Sequence, residues 1–153
     1  MARLEDIPEA ERKVIVGWPC PTYDSTPAVG GPPLTERRVA IVSTAGLHRR
    51  GDRPFSPMAA DYRVIPGDTP DDEIVMSHIS PNFDRTGYQH DVNVAFPLGR
   101  LRAMAADGEI GSVADLHYSF MGASSPLAME PAARELAGHL AADGVDAVLL
   151  VPV

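Results

Sequence analysis

Cysteine is nearly absent from this sequence, and long hydrophobic runs are missing altogether. Cys20 is the single cysteine among 153 residues, which excludes an intrachain disulfide framework and any Cys-x-x-Cys zinc or redox motif within the chain. No stretch reaches the roughly 18 apolar residues that would span a bilayer, and residues 1–16 lack the basic start and apolar core of a signal peptide. We therefore expect a cytoplasmic protein without membrane contacts.

Positive charge is also scarce. The 13 lysines and arginines are outnumbered by 21 aspartates and glutamates, which gives a formal net charge of −8. No basic run is present that would contact nucleic-acid phosphates, so we do not expect a nucleic-acid partner. The composition is 44% hydrophobic, which supplies enough apolar side chains for one globular core in a chain of this length.

Proline is abundant and marks the N-terminal region as irregular. The segment 19–33 combines prolines with a Gly-Gly pair, and proline fixes φ and removes a backbone donor, which opposes helices and sheets. Cys20 lies between two of these prolines, away from any helix N-terminus that would activate it, and we interpret it as an incidental thiol. The sequence predicts an extended arm over residues 1–36 and an α/β domain over residues 37–153.

Regular elements are predicted from residue 37 onwards. Apolar or β-branched runs predict strands at 37–43, 62–65, 73–79 and 145–153, and apolar spacings closed by Asp-Gly predict helices at 98–106 and 129–142. Residues 115–121 fit neither pattern clearly. Continuous apolar strands that alternate with helices are typical of parallel sheets buried on both faces. The predicted fold is α/β and Rossmann-like, with a mainly parallel sheet and flanking helices.

The last predicted strand, residues 145–153, requires a covering layer. In open α/β sheets the functional groups lie beyond the carboxyl ends of the strands. A central strand without a following helix leaves apolar surface uncovered, at a cost of about 25 cal/mol per Å². We therefore expect a domain that is incomplete at its C-terminal end, or a partner chain that supplies the missing layer. The alternative is an edge strand covered by the helices already present.

Several ordered motifs resemble a known family. These are 38–47 (RVAIVSTAGL), 50–55 (RGDRPF), 77–80 (SHIS) with Asp84, 91–98 (DVNVAFPL) and 117–122 (HYSFMG). They resemble the selenoprotein B family, which includes subunits of glycine, sarcosine, betaine and D-proline reductases, and the resemblance extends over residues 37–153. Gly99 stands where the family pattern carries an acid ahead of Arg100, so Arg100 is left out of the candidate site.

The resemblance implies redox chemistry that depends on a residue beyond Val153. In the family, the strand similar to residues 146–153 is followed almost at once by a selenocysteine or cysteine, the redox nucleophile. Selenocysteine is encoded by a codon otherwise read as stop, so we expect the selenocysteine or cysteine downstream of Val153 and no cofactor within the chain. The resemblance also implies a small amino-acid-type substrate, a thioredoxin-like reductant, and a partner subunit or a second copy of the chain.

Polar residues that follow the predicted elements form a candidate site at one end of the sheet. They are His78, Asp84, His90, Asp91 and His117. Such side chains transfer protons near neutral pH or bind divalent metals, but their spacing matches no metal motif, and isolated histidines and aspartates often cap turns instead. Following the resemblance, we assign His78, Asp84, Asp91 and His117 to the catalytic pocket and no residue to a metal. A metal-dependent hydrolase that uses the histidines is the alternative.

A second candidate is an anion cradle in the segment that follows the first strand. Thr44 and Gly46 allow backbone amides to approach a carboxylate, and Arg50 would clamp it. The alternative is a plain glycine turn with solvated arginines. Taken together, the sequence predicts a subunit or fragment of a selenol- or thiol-dependent reductase-like oxidoreductase. The alternative function is a noncatalytic module that binds an anion or a partner subunit.

Overall fold

The structure is a computed structural model that describes residues 3–17, 19, 21–22, 24, 29–80 and 83–153. Its helices are α1 (Glu9–Val16), α2 (Thr86–His90), α3 (Leu98–Ala106) and α4 (Pro126–Ala142). Its strands are β1 (Arg38–Ser43), β2 (Leu47–Arg49), β3 (Tyr62–Pro66), β4 (Ile74–Met76), β5 (Ser112–Val113), β6 (Leu116–Phe120) and β7 (Ala147–Val151).

The main sheet has five strands and is organised around β1. Strand β1 pairs in parallel with β5, β6 and β7, whereas β3 joins β6 antiparallel. Because β7 pairs with β1 along residues 39–43, β5 and β6 share the other edge of β1, β5 at its start and β6 at its end. The prediction of an α/β fold with a mainly parallel sheet is confirmed. The sheet is mixed, and it does not by itself establish the Rossmann-like arrangement.

The two long helices follow the sequence pattern closely. Helix α3 has the predicted bounds and buries Leu98 and Leu101. Helix α4 begins three residues before the predicted start because Pro126 occupies its first turn, where a missing amide costs nothing. Gly108 and Gly144 follow the two helices with φ of 74° and 67°, the left-handed conformation in which glycine commonly ends a helix.

The apolar side chains are buried on both faces of the sheet. On one face, Ile41 and Ile65 pack with Phe96 and with α3. On the other face, Tyr118 and Phe120 pack with Leu136 of α4. The two helices therefore cover opposite faces, as a layered α/β domain requires.

An ion pair orients α4 relative to the sheet. Arg38, the first residue of β1, donates from Nη2 to Asp143 Oδ1 at 2.7 Å and from Nε to the Asp143 backbone oxygen. Asp143 is the residue that follows α4. The C-terminus of α4 is thus held at the amino end of β1, and its N-terminus points to the end of the sheet where β1 and its parallel neighbours finish.

The prediction for the final strand is confirmed in part. Residues 147–151 form β7, but the prediction that this strand is buried on both faces is wrong. Leu150 exposes 69% of its surface and Val148 exposes 41%. The physical reason is position, because β7 is bonded to β1 on one side and, among the described residues, to no strand on the other. Neither α3 nor α4 covers it completely.

Other segments depart from the sequence pattern. Residues 74–76 form β4, which pairs antiparallel with β2 in a separate two-stranded sheet rather than joining the main sheet. The predicted arm, residues 1–36, contains helix α1, which has no buried residue. Cys20, interpreted above as an incidental thiol, lies outside the described residues. In the part of the chain that is described, no helix is long and apolar enough to cross a membrane.

Candidate functional site

A cavity of about 530 Å³ opens where β1 and β6 end and α4 begins. It is lined by Thr44, Gly122, Ser124, Pro126, Met129, Glu130, Ala133, Arg134 and Ala137. Thr44 follows β1 directly, Gly122 follows β6 after one residue, and the others belong to α4 or to the turn before it. The cavity therefore occupies the place where α/β proteins bind their ligands, the carboxyl ends of parallel strands.

Thr44 ties the end of β1 to the ends of its neighbours. Its backbone amide donates to the Val151 oxygen at 3.1 Å, and its hydroxyl accepts from the Val153 amide at 2.8 Å. Its backbone oxygen accepts from the Gly122 amide at 2.7 Å. These bonds bring Thr44, Gly122 and Val153 together on one side of the cavity.

Gly122 has no room for a side chain. A Cβ atom at this position would lie 2.7 Å from the Thr44 oxygen, 2.8 Å from the Val153 oxygen and 3.2 Å from His78 Nε2. Backbone oxygens cannot yield without breaking the bonds just described. Glycine is therefore required here by close packing rather than by an unusual φ angle.

His78 lies directly behind Gly122 and is 6% exposed. Its Nδ1 accepts a hydrogen bond from the Ser80 amide at 3.2 Å, so the proton of the neutral ring sits on Nε2. Among the residues that the structure describes, Nε2 has no hydrogen-bond partner. Burial and the positive charge of Arg85 lower the pKa of His78, which keeps the imidazole neutral near pH 7. His78 thus lies behind Gly122 in a closed space and does not itself line the cavity.

The N-terminus of α4 forms another wall of the cavity. Ser125 is its N-cap residue, but its side chain makes no capping bond, and the first turn contains no acidic residue. The hydroxyl of Ser124 donates to the Ala59 oxygen and is turned away from the helix. Pro126 has no backbone N–H, and the amides of Ala128 and Met129 donate to the Ser125 oxygen at 3.0 and 3.2 Å, so most donors at this end are absent or already bonded.

His117 does not meet His78. It lies near the start of β6, toward the opposite end of the sheet, and is completely buried. Its Nδ1 accepts from the Ile41 amide at 2.9 Å, between the segments where β5 and β6 pair with β1. Burial lowers the pKa of His117 to about 4, and the charges of Arg102 and Arg38 act in the same direction, partly offset by Asp143. The expectation that all the candidate residues meet at one end of the sheet is therefore wrong for His117.

Asp84 and Asp91 hold local turns. Asp84 Oδ1 accepts from the Thr86 amide at 2.9 Å, and Asp91 Oδ1 accepts from the amide of Asn93 at 2.9 Å. Hydrogen bonding with the side chains of Thr86 and Asn93, together with these backbone bonds, lowers the pKa of both carboxyl groups. Asp91 also lies 3.6 Å from Arg100 Nη2. Arg100 therefore pairs with an acid on a neighbouring turn, although position 99, where the family pattern has an acid, is glycine. Neither carboxylate lines the cavity at Thr44.

The predicted anion cradle is divided between separate places. Thr44 lines the cavity described above, but Arg50 donates to the Asp72 oxygen and lines a different depression beside Thr69 and Glu73. Gly46 has φ of 66°, and a Cβ there would lie 3.0 Å from the His78 amide nitrogen. Gly46 thus allows the close approach of the segment that carries His78.

Comparison with protein families agrees with the motifs. Residues 19–153 match the family described as glycine/sarcosine/betaine reductase selenoprotein B (GRDB). The chain belongs to this family. The resemblance drawn from the sequence motifs is confirmed.

Curated selenoprotein B relatives are longer than this chain. D-proline reductase subunit gamma of Acetoanaerobium sticklandii is 36% identical over 121 residues, which cover 76% of this chain and 49% of the relative. Glycine reductase complex component B subunit gamma is 30% identical in Symbiobacterium thermophilum and 29% in Carboxydothermus hydrogenoformans. The matches cover 87% and 86% of this chain, and 32% of each relative. The chain thus spans half or less of these relatives, which are named as subunits. No solved structure matches.

Some residues of the cavity in this selenoprotein B chain were missed at the level of sequence. Gly122 and Ser124 lie in a segment that shows no catalytic motif, and Arg134 looks like an ordinary partner of Glu130 one helical turn away. The available signal was the Ser125-Pro126 pair, which marks the start of a helix directly after a strand. Within the described residues, no group of three or more His, Cys, Asp or Glu side chains is arranged to hold a metal.

Proposed function

We propose that this chain forms part of a selenol- or thiol-dependent reductase that acts on a small amino-acid-type substrate. The observation that carries the proposal is the convergence of Thr44, Gly122 and Val153 beside the cavity at the N-terminus of α4. A residue that follows Val153 would enter the cavity at this point. Membership of the selenoprotein B family supports the proposal.

A selenocysteine or cysteine after Val153 would supply the redox nucleophile, and a thioredoxin-like protein would return its oxidised form to the reduced state. The residues present fit such a group, because Thr44 fixes Val153 by two contacts, at 2.8 and 3.3 Å. Met129, Ala133 and Ala137 give the cavity apolar walls, which restrict water around a bound substrate. Among the predicted catalytic residues we retain His78, because it lies behind Gly122 at this pocket, whereas His117 lies toward the other end of the sheet and Asp84 and Asp91 hold local turns.

The test begins with the gene. Sequencing past the codon for Val153 is expected to show an in-frame TGA followed by coding sequence, or a cysteine codon. The longer protein is then assayed for dithiol-dependent reduction of D-proline, glycine, sarcosine and glycine betaine, with a serine variant of the new residue as the control. An ordinary stop with no coding sequence beyond it, or a serine variant as active as the parent, would contradict the proposal.

A second candidate function, a subunit-interaction module, is favoured by the exposed apolar side chains of β7. Leu150 and Val148 lie on an edge strand whose outer side pairs with no described strand, and such strands readily accept another polypeptide. We propose a second copy of the chain as the occupant, because two identical open edges can pair across a twofold axis.

We expect Leu150→Lys to convert a dimer into a monomer in analytical ultracentrifugation, since a buried lysine would oppose the contact. Val64→Lys is the matched control, because Val64 is 39% exposed on β3, at the opposite edge of the sheet. A parent chain that is monomeric at all concentrations would remove this candidate.

A further inference from the structure

Helix α1 carries apolar side chains that the chain does not bury. Val14 exposes 67% of its surface and Ile15 exposes 42%, and Ala10 lies one turn before Val14 on the same side of the helix. No residue of α1 is buried. The helix also lies outside residues 19–153, which match the selenoprotein B family. A clustered apolar face of this kind marks a contact surface.

A second uncovered apolar surface lies on β7, on the face of the sheet that α4 covers only in part. Leu150 pairs with Val42 in parallel, and side chains of paired residues point to the same face of a sheet. Val42 packs in the core beneath α4, and Thr44, two residues further along, lines the cavity. Leu150 and Val148 therefore lie on the α4 face, with Leu150 beside the cavity.

Small residues of α4 form the opposite wall of this surface. Leu136 points into the sheet, and Glu135 on one flank of the helix accepts a hydrogen bond from Tyr62 of β3 at 3.1 Å. Ala133 and Ala137 lie on the other flank and line the cavity, so they face the side of the sheet where β7 lies. Their small size allows another helix to approach closely. We call the surface between Ala133 and Ala137 and the exposed side chains of β7 the α4–β7 groove.

The size of α1 suits the α4–β7 groove. Helix α1 has 8 residues, which makes it about 12 Å long. Strand β7 has 5 residues, which makes it about 16 Å long. Charges of opposite sign flank the two apolar surfaces, because Arg12 and Lys13 precede Val14 and Glu130 lines the cavity beside Ala133.

The segment that carries α1 leaves the domain beside β7. The Arg38 amide donates to Asp146 Oδ1 at 2.9 Å, and the Asp146 amide donates to the Arg38 oxygen at 3.2 Å. The residues that precede β1 therefore lie next to the start of β7. Residues 17–33 connect α1 to the turn at Leu34–Glu36, and a connection of this length reaches at most about 60 Å. That exceeds the dimensions of the domain, for which the radius of gyration is about 13 Å.

A second copy that pairs along β7 brings its groove to this point. Two identical edge strands that pair across a twofold axis perpendicular to the sheet run antiparallel. The start of β7 in one copy then lies beside the end of β7 in the other, next to Leu150 and the cavity. The segment that leaves one copy at the start of its β7 thus arrives at the cavity end of the other copy's groove.

We propose that α1 of each copy docks in the α4–β7 groove of the other copy, with Val14 and Ile15 against Leu150 and Ala133. Each cavity is then closed by the two copies together. The inference rests on the second candidate function, the pairing of two copies along β7. It deepens that function by naming the segment that covers the exposed face of the strand.

The experiment mixes ¹³C-labelled chain with unlabelled chain and records isotope-filtered NOEs, which arise only between copies. We expect methyl contacts between Val14 or Ile15 of one copy and Ala133, Ala137 or Leu150 of the other. The same contacts confined to pairs within one labelled chain would place α1 in its own groove and overturn the proposal. A sample that is dimeric by ultracentrifugation and shows no contact of α1 with α4 would overturn it as well.

Substitutions on both sides of the contact test its strength. Val14→Ser is expected to weaken dimerisation about tenfold in analytical ultracentrifugation, because a buried apolar side chain is lost, while serine and valine have similar helix propensities. Val29→Ser is the matched control, because Val29 is exposed but lies outside α1. Ala133→Gln, which fills the groove, is expected to weaken dimerisation by a similar factor. Ala128→Gln is its control, because Ala128 is exposed on α4 and does not line the cavity. Equal effects of each variant and its control would contradict the docking.

The outcomes separate the docking of α1 from the pairing of β7 edges. Hydrogen exchange reports the edge, because amides of β7 that point away from β1 are protected only when a second strand pairs with them. If α1 contacts the other copy while these amides exchange freely, edge pairing fails and the docking stands. If Leu150→Lys dissociates the dimer and Val14→Ser has no effect, edge pairing stands and the docking fails. A parent chain that is monomeric at all concentrations removes both.

Discussion

Replacing Gly122 by alanine is expected to lower the free energy of unfolding by about 2–3 kcal/mol, as overpacking of a tight site does. The new Cβ would lie 2.7 and 2.8 Å from the backbone oxygens of Thr44 and Val153. To relieve this overlap the ends of β1 and β7 must separate, which weakens the bonds of Thr44 and changes the shape of the cavity. Urea denaturation followed by circular dichroism measures the change in stability.

The same substitution at Gly138 is the control. Gly138 lies within α4, and a Cβ there would meet no atom within 4 Å. Because alanine is a better helix former than glycine by roughly 1 kcal/mol, Gly138→Ala is expected to stabilise the chain. A lower free energy of unfolding in Gly122→Ala and a higher one in Gly138→Ala would support the packing described at Gly122. A Gly122→Ala variant as stable as the parent would show that the three strand ends are not held as closely as the structure indicates.

Lowering the pH from about 7 to 4 is expected to remove about 3 kcal/mol of stability through His117 alone. Burial lowers the pKa of His117 from 6.5 to about 4 in the folded chain, and each pKa unit corresponds to about 1.4 kcal/mol. Between these values the unfolded state binds a proton that the folded state does not, so stability decreases as the pH falls. The contribution is fully present above pH 6.5 and lost by about pH 4.

Besides burial, a hydrogen bond of the His117 imidazole opposes protonation. Protonation of Nδ1 would place an N–H against the Ile41 amide, whose bond to Nδ1 at 2.9 Å would be broken. His78 acts in the same direction, since its pKa is also lowered. The carboxyl groups with lowered pKa, such as Asp143, begin to lose their stabilising charge only below about pH 4. The loss between pH 6.5 and 4 therefore comes from the buried histidines.

His117→Asn tests this assignment, because the asparagine oxygen replaces Nδ1 as an acceptor and does not titrate. Thermal or urea unfolding measured from pH 7 to 4 is expected to show a smaller loss of stability in this variant. His90→Asn serves as the control, since His90 is exposed. This variant should lose as much stability between pH 7 and 4 as the parent. If His117→Asn loses as much stability between pH 7 and 4 as the parent, His117 is not the group that titrates.

The contrast between the two buried histidines shows the limit of what the sequence could predict about the site. Both accept a backbone hydrogen bond at Nδ1. Their spacing along the chain gives no indication that His78 lies behind Gly122 while His117 lies at the other end of the sheet. That difference depends on the direction of β6 relative to β1, which is set by strand pairing. Asp84 and Asp91 were predicted as catalytic, but their carboxylates accept hydrogen bonds from nearby backbone amides.

The sequence by itself determined the elements whose signals are local. The periodicity of residues 98–106 and the glycines at 108 and 144 define α3 and the end of α4, and the apolar runs define β1 and β7. The family followed from ordered motifs. Only the tertiary structure decided that residues 116–120 form a strand, that β7 is an exposed edge, and that Gly122, His78 and the start of α4 meet. The physical reason is that helix periodicity and caps act within a few residues, whereas strand pairing and cavities join residues far apart in the chain, and their free energy appears only when the partners are in place.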